Sequence, residues 1–179
     1  MEALQNVSIF LVQTLLSFYI GAVLIRFLLA LSRANFYNPL SQFLVKITNP
    51  ALVPLRRMIP AVGKLDTAAI VLALGLTLLK FFLLDLLGLH LGNIVIVSIA
   101  DLLHTVVNIY IFALVIQAVL SWVGNSHGNP LADLLNSLTE PLLRPIRQFV
   151  PVIGMVDLAP MAAILLLYIV LIVLQSFGL

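Results

Sequence analysis

Residues 38–66, NPLSQFLVKITNPALVPLRRMIPAVGKLD, recur as residues 129–157, NPLADLLNSLTEPLLRPIRQFVPVIGMVD. The two copies align without a gap at a constant offset of 91 residues, and residues separated by this offset are called repeat mates below. The identical mates are Asn38/Asn129, Pro39/Pro130, Leu40/Leu131, Leu44/Leu135, Thr48/Thr139, Pro50/Pro141, Leu52/Leu143, Pro54/Pro145, Arg56/Arg147, Pro60/Pro151, Gly63/Gly154 and Asp66/Asp157. All nine prolines of the chain lie in these copies or, as Pro160, just after the second. A segment rich in proline and arginine therefore occurs twice, and long apolar sequence surrounds it.

The composition indicates an integral membrane protein. Hydrophobic residues make up 63% of the chain and charged residues only 9%, which is outside the range of soluble domains. The apolar runs reach the length of about 20 residues that a helix needs to cross a bilayer. We predict transmembrane helices at about 7–31, 67–87, 94–122 and 158–177. Because the chain has no cysteine, it can form neither a disulfide nor a thiolate metal site.

These segments predict an all-α membrane protein made of two helix–hairpin–helix repeats, residues 1–91 and 92–179. Each unit contains two spans, so both units enter the membrane in the same direction and are parallel repeats. The two hairpins, 38–66 and 129–157, are then expected on one side of the membrane. Both termini and the link at 88–93 are expected on the other side.

The distribution of charge predicts which side is which. Seven basic residues fall on the hairpin side: Arg33, Lys46, Arg56, Arg57, Lys64, Arg144 and Arg147. The opposite side carries no lysine or arginine. The positive-inside rule therefore places the hairpins in the cytoplasm and both termini in the periplasm of a bacterial inner membrane.

Each copy begins with the features of a helix start. Asn38 and Asn129 can cap free backbone N–H groups, and Pro39 and Pro130 fit the first helical position. The apolar residues that follow are spaced i, i+3, i+4 and i+7, which predicts a short amphipathic helix. We expect this helix to lie in the membrane interface or to pack on the ends of the spans.

Prolines, a glycine and an aspartate predict how each hairpin continues. Because proline lacks an N–H and clashes with the preceding turn, we expect a bend at 48–53 and a second short helix from Pro54. The last proline should end that helix, the glycine should allow a turn, and the aspartate should cap the next span. The residues with these architectural roles are Pro50, Pro54, Pro60, Gly63 and Asp66 in the first copy and Pro141, Pro145, Pro151, Gly154 and Asp157 in the second.

The hairpin arginines allow three interpretations. The hairpin can be a stiff elbow that fixes the angle between two spans, with arginines against lipid phosphate. Alternatively, Arg56, Arg57, Arg144 and Arg147 form a site for an anionic headgroup, a phosphate or an acidic segment of a partner. A third interpretation pairs Arg56 with Asp66, and their repeat mates likewise, in an ion pair that closes each hairpin.

Few polar residues fall inside the spans. Lys80 and Asp101 lie at equal distances from the link, so we expect them to face each other near the bilayer midplane, where a lone charge is costly. His104 and Asn108 follow Asp101 on the same helix face, which leaves open a proton or cation relay as well as a neutralised pair. Arg26 lies close enough to the hairpin-side surface to reach lipid phosphate.

No catalytic pattern is present in the sequence. No Ser–His–Asp set, metal-ligand spacing or phosphate-binding glycine loop occurs. We therefore expect a protein without enzymatic activity, cofactor or metal, although an intramembrane hydrolase stays open. Direct contact with nucleic acid is not expected.

The pattern NPL-x(7)-T-x-P-x-L-x-P-x-R-x-x-x-P-x-x-G-x-x-D, present twice between membrane spans, resembles the YggT family of bacterial and plastid membrane proteins. The resemblance covers nearly the whole chain, and the second copy, from Thr139 to Pro160, is closer to the family pattern. The first copy departs from it at Asn49, Val53 and Ala69. The resemblance implies a non-enzymatic role. It links bacterial members to osmotic-stress tolerance and cation homeostasis, and plastid and cyanobacterial relatives to cytochrome complex biogenesis, nucleoid distribution and division.

Two functions are compatible with these features. The first is a structural or assembly factor whose cytoplasmic hairpins contact anionic phospholipid headgroups or a larger membrane complex. The second is a small, oligomeric component of ion or proton transport that uses Lys80, Asp101 and His104. The partners expected are the lipid bilayer, its anionic headgroups, and other membrane proteins or further copies of the chain.

Overall fold

A computed structural model describes residues 2–63, 65–89, 92–123, 129–150 and 157–176. Its helices are α1 (Glu2–Leu31), α2 (Pro39–Met58), α3 (Thr67–Leu84), α4 (Ile94–Val123), α5 (Pro130–Ile146) and α6 (Ala159–Ser176). A π-helical turn, Asp85–Leu89, follows α3. Pro151, Gly154, Lys64 and the side chain of Trp122 lie outside the described residues. The all-α class is confirmed.

Four of the helices are apolar and long enough to cross a membrane. The spanning segments are Ala3–Leu31, Thr67–Leu89, Ile94–Leu120 and Ala159–Ser176, so the four predicted spans are confirmed within a few residues. Their apolar residues are distributed around the whole helix, as a lipid environment requires. The remaining two helices, α2 and α5, each follow one span and precede the next.

The two hairpin helices begin as the sequence predicts. The Asn38 side chain accepts the N–H of Leu40 at 2.9 Å, and Asn129 accepts that of Leu131 at the same distance. Proline is the first residue of both helices. The aspartate caps are also confirmed, because Asp66 accepts the N–H of Ala69, and Asp157 likewise accepts that of Ala159 at 2.9 Å.

The end of α2 also follows the prediction, because Ile59 leaves the helix with extended backbone just before Pro60. Gly63 has a φ of 62°, a left-handed conformation that glycine adopts without a Cβ penalty. Val62 and Leu65 on either side of this turn pair through their backbones. The chain therefore reverses direction at the predicted glycine and enters α3.

The expected bend at 48–53 is wrong, because α2 continues through Pro50 and Pro54, and α5 continues through Pro141 and Pro145. All four prolines lie on the exposed face of their helix. The carbonyl that each proline leaves without an N–H lies four residues earlier on the same face, where water or a headgroup can bond to it. The opposite face is buried against the spans, and this packing holds the helix together.

Equivalent leucines anchor the two helices to their own repeats. Leu52 is fully buried against α1 and α3, in a cluster that includes Ile20 and Ala68. Its repeat mate Leu143 is fully buried against α4 and α6, in a cluster that includes Leu114 and Ala159. The apolar stripe predicted at the start of each helix packs on protein in α5, where Leu134, Leu135 and Leu138 are buried, whereas Leu40 and Phe43 of α2 are exposed.

The two hairpins lie at the same end of the helix bundle. The Asn38 Nδ2 atom donates to the backbone carbonyl of Pro130 at 2.6 Å, which joins the N-terminal ends of α2 and α5. A contact between the hairpins requires both repeats to run in the same direction, so their parallel arrangement is confirmed. The division at residues 91 and 92 stays a prediction.

Candidate functional site

The C-terminal end of α2 contains an ion pair. Arg56, in the last turn of α2, bonds to Oδ2 of Asp66 through its guanidinium. The arginine side chain is 41% exposed and the aspartate 13%. The other carboxylate oxygen of Asp66 caps α3, so one side chain fixes the start of the span and the end of the hairpin helix together.

The end of α5 repeats this ion pair and adds a second carboxylate. The Arg147 Nε atom donates to Oδ2 of Asp157 at 3.0 Å, and its Nη1 donates to Oε2 of Glu140 at 2.8 Å. Burial lowers the pKa of Arg147, but its bonds to Asp157 and Glu140 outweigh burial and raise that pKa. Asn49 replaces Glu140 in the first copy. The interpretation of an ion pair in each hairpin is confirmed.

Arg57 and Arg144 are exposed, and neither forms an ion pair with a described residue. They are not repeat mates, since the mate of Arg57 is Gln148 and that of Arg144 is Val53. Of the four arginines proposed as an anionic site, two are thus bonded to carboxylates of their own repeat and two face outward. A shared site formed by all four stays a prediction.

A surface hollow of about 530 Å³ follows the exposed face of α2. It is lined by Lys46, Asn49, Pro50, Val53, Pro54 and Arg57. The equivalent face of α5 carries Glu140 and Arg144, whose charges cancel. The outward face of the first hairpin is therefore basic, and that of the second is neutral.

Two exposed apolar side chains flank the arginines. Met58 is 80% exposed and Phe149 is 85% exposed, and they are repeat mates, each two residues after the ion-paired arginine. A large apolar side chain in this position avoids water only if lipid or another protein covers it. Sequence reasoning missed this pair because methionine and phenylalanine are not identical. An apolar residue at the same position of both copies was the available signal.

A second pair of mates ties each hairpin helix to the preceding span. Arg26 is only 5% exposed, and its Nη1 donates to Oγ1 of Thr48 at 2.6 Å and to the carbonyl of Val45 at 3.4 Å. The expected contact of Arg26 with lipid phosphate is wrong, because the guanidinium turns into the protein. Thr48 is itself fully buried and supplies the acceptor.

The second repeat makes the same tie with neutral groups. Gln117, the mate of Arg26, accepts the Thr139 hydroxyl through Oε1 at 2.7 Å. Its Nε2 atom donates to Oδ1 of Asn136, also at 2.7 Å. The threonine hydroxyl therefore takes part in both copies, as an acceptor from Arg26 in the first and as a donor to Gln117 in the second. The residue of the span is charged in the first copy and neutral in the second.

Lys80 and Asp101, at the centre of the predicted polar cluster inside the spans, face each other as expected. The Lys80 ammonium donates to Oδ2 of Asp101 at 2.6 Å and to the Ser17 hydroxyl at 3.3 Å, and it lies over the Phe81 ring at 4.5 Å. The Lys80 side chain is 3% exposed and that of Asp101 30%. The predicted facing pair is confirmed, and it joins α1, α3 and α4.

The other two predicted members of the cluster differ in position. His104 is half-buried one turn further along α4, whereas Asn108 is exposed on the helix surface. No group of three metal-binding side chains occurs among the described residues. A relay through these residues stays a prediction.

Comparison with known proteins finds the same family in each of the two repeats. A family model described as CCB3/YggT matches residues 5–87 and again residues 96–178, and each matched range contains one hairpin. An uncharacterized protein of Pseudomonas aeruginosa is 43% identical over 172 residues, which cover 93% of this chain and 87% of that protein. The uncharacterized protein YggT of Escherichia coli K12 is 37% identical over 166 residues, covering 93% of this chain and 88% of that protein. No solved structure matches the chain.

Proposed function

Because the chain belongs to the CCB3/YggT family, we propose that it is a non-enzymatic structural or assembly factor of the bacterial inner membrane. Its two hairpin helices form a cytoplasmic platform that contacts phospholipid headgroups and docks a larger membrane complex. The platform operates during osmotic stress, the condition to which the family resemblance points. The molecular role is attachment, and no chemical step is required of the chain.

The observation that carries this proposal is the exposed pair Met58 and Phe149. Both residues extend from the hairpin ends close in sequence to an arginine, Met58 directly after Arg57 and Phe149 two residues after Arg147. Exposed apolar residues next to arginine are the composition that protein–protein contacts favour. The ion pairs of Arg56 and Arg147 support the proposal by fixing the hairpin ends on which these side chains stand.

The orientation is supported by charge. The basic residues outside the spans lie on the hairpin side, and the cytoplasmic leaflet carries the anionic lipids. With the hairpins in the cytoplasm, the arginines face lipid phosphates or a cytoplasmic partner. Both termini then face the periplasm.

The test is a comparison of cross-linked partners in native membranes. A variant with Arg57→Gln, Arg144→Gln, Met58→Ser and Phe149→Ser should lose the proteins that cross-link to the wild type. It should also fail to restore growth of a deletion strain after a hyperosmotic shift. The matched control is Phe18→Ser, which removes another exposed phenylalanine, 76% exposed but in the middle of a span. Unchanged partners and growth in the fourfold variant would exclude the platform.

A transport component is the second candidate, and the 30% exposure of the Asp101 side chain favours it. Asp101 could exchange a proton or cation with a neighbouring subunit, since four helices are few to enclose a pore. Ion flux into proteoliposomes should then occur with the wild type and be lost with Asp101→Asn. A wild type that shows no flux would remove this candidate.

A further inference from the structure

An apolar groove of about 380 Å³ lies between α1, α2, α4 and α5. Four pairs of repeat mates line it: Ile25/Ile116, Leu40/Leu131, Phe43/Leu134 and Leu44/Leu135. The apolar stripes of the two hairpin helices therefore meet at one place, on the approximate symmetry axis between the repeats. Its volume is within the range of about 300–1,000 Å³ that small-molecule sites occupy.

The groove has a closed floor and an open rim. Leu134, Leu135 and Leu138 are buried beneath it. Phe43 on α2 and Phe112 on α4 stand at the rim, 58% and 66% exposed. Because Phe112 belongs to a membrane span, the rim opens toward lipid and not toward water.

The inner end of the groove lies about one leaflet from the hairpin-side end of the span. Its lining on α4 begins at Ile109, and the span ends at Leu120, which at 1.5 Å per residue is about 16 Å. Half of the hydrocarbon core of a bilayer is about 15 Å. An acyl chain that enters between the two phenylalanines would therefore extend from the headgroup level to the midplane.

An exposed cation follows the rim residue Phe43 along α2 and lines the outward hollow of that helix. Lys46 lies one turn after Phe43 on α2, is exposed, and has no carboxylate partner among the described residues. Its repeat mate is Ser137, so only the first hairpin presents a positive charge here. An anionic phosphate above an acyl chain complements this arrangement.

We propose that the groove binds one acyl chain of an anionic phospholipid of the hairpin-side leaflet, whose phosphate contacts Lys46. The lipid then fills the space between the two repeats and stabilises the contact between α2 and α5. This site goes beyond the proposed platform and needs no protein partner. It also differs from the arginine-bearing hairpin ends, which lie at the other ends of the same two helices.

Fluorescence quenching by brominated lipids tests the proposal. The chain has a single tryptophan, so a Trp122→Phe background with Phe43→Trp places one fluorophore at the rim. The protein is reconstituted in vesicles containing brominated phosphatidylglycerol or brominated phosphatidylcholine. We expect the tryptophan at position 43 to associate with the anionic lipid about fivefold more strongly, the ratio that about 1 kcal/mol for one basic residue gives.

Two further variants distinguish a site from general lipid contact. Lys46→Gln should abolish the preference for the anionic lipid, and Ala113→Phe should reduce quenching at position 43 by either lipid because it fills the groove. The matched control is Phe10→Trp in the same background, since Phe10 is 65% exposed on the outer surface of α1, and it should show no preference. Equal quenching by both lipids at position 43, or a preference that survives Lys46→Gln, would overturn the proposal. Failure of the platform would leave these results unchanged.

Discussion

The two hairpins share one backbone plan and differ in their charges. Both begin at an Asn–Pro cap, bury an equivalent leucine and threonine, and end at an Arg–Asp ion pair. The outward face of α2 carries Lys46 and Arg57, whereas the same face of α5 carries Glu140 and Arg144. The identical residues therefore specify architecture, and the residues that differ between the copies decide what each hairpin can bind.

The hydrogen bonds between each hairpin helix and the preceding span also combine an identical residue with one that differs in charge. The threonine is common to both copies, but its partner is a buried cation, Arg26, in the first and a neutral amide, Gln117, in the second. A charged group bonded only to neutral acceptors depends more on each bond than an amide does. The first repeat is thus expected to be more sensitive to loss of its hydrogen bonds.

The largest expected effect falls on the Lys80–Asp101 ion pair, which joins the two repeats and has no charged counterpart at the mated positions. The mates of Lys80 and Asp101 are Leu171 and Phe10. Asp101→Asn leaves the Lys80 ammonium buried without its carboxylate, which should lower the free energy of unfolding by about 3 kcal/mol, the lower end for a buried pair because Asp101 is partly exposed. Unfolding in mixed detergent micelles measures the loss.

The matching double variant, Lys80→Met with Asp101→Leu, makes this site apolar like its mate. Because both charges are removed, stability should return to within about 1 kcal/mol of the wild type. If the double variant is less stable than Asp101→Asn alone, the pair has a role beyond mutual neutralisation.

The next effect compares one substitution in the two repeats. Thr48→Val removes an acceptor of a charged donor and should cost about 1.5–3 kcal/mol, whereas Thr139→Val breaks a neutral bond and should cost about 0.5–1.5 kcal/mol. Both measurements use the same unfolding assay. Equal losses would mean that the charge of Arg26 does not distinguish the repeats.

The smallest effect concerns the closing ion pairs. Asp66→Asn keeps the helix cap but removes the only described carboxylate partner of Arg56, and should cost about 1 kcal/mol. Asp157→Asn leaves Arg147 bonded to Glu140, so its cost should not exceed about 0.5 kcal/mol. Thermal unfolding of the two purified variants gives the comparison. A larger loss of stability in Asp157→Asn than in Asp66→Asn would contradict the expectation that Glu140 still holds Arg147.

Much of the fold followed from local rules. The caps at Asn38 and Asp66, the end of α2 before Pro60 and the turn at Gly63 are set by backbone chemistry within a few residues. The bend predicted at Pro50 and Pro54 was wrong because the effect of a proline depends on which face of the helix packs against the spans. With their outer face exposed and Leu52 buried, the helix continued where an isolated peptide would bend.

The candidate site was harder to predict for a similar reason. Lys80 and Asp101 could be paired from depth alone, since two antiparallel helices share one short link. The burial of Arg26 could not, because depth does not say whether a side chain turns toward lipid or protein. The position of Thr48 decided it, and that contact joins residues on two helices.

Cysteine labelling tests the central claim that both hairpins form one cytoplasmic platform. The chain contains no cysteine, so Met58→Cys, Phe149→Cys and, at the opposite end, Gln175→Cys each give a single exposed thiol. With a membrane-impermeant maleimide, positions 58 and 149 should react only after the inner membrane is opened, and position 175 should react in cells whose inner membrane is intact. Labelling of 58 and 149 from opposite sides, or of both in intact cells, would contradict the account.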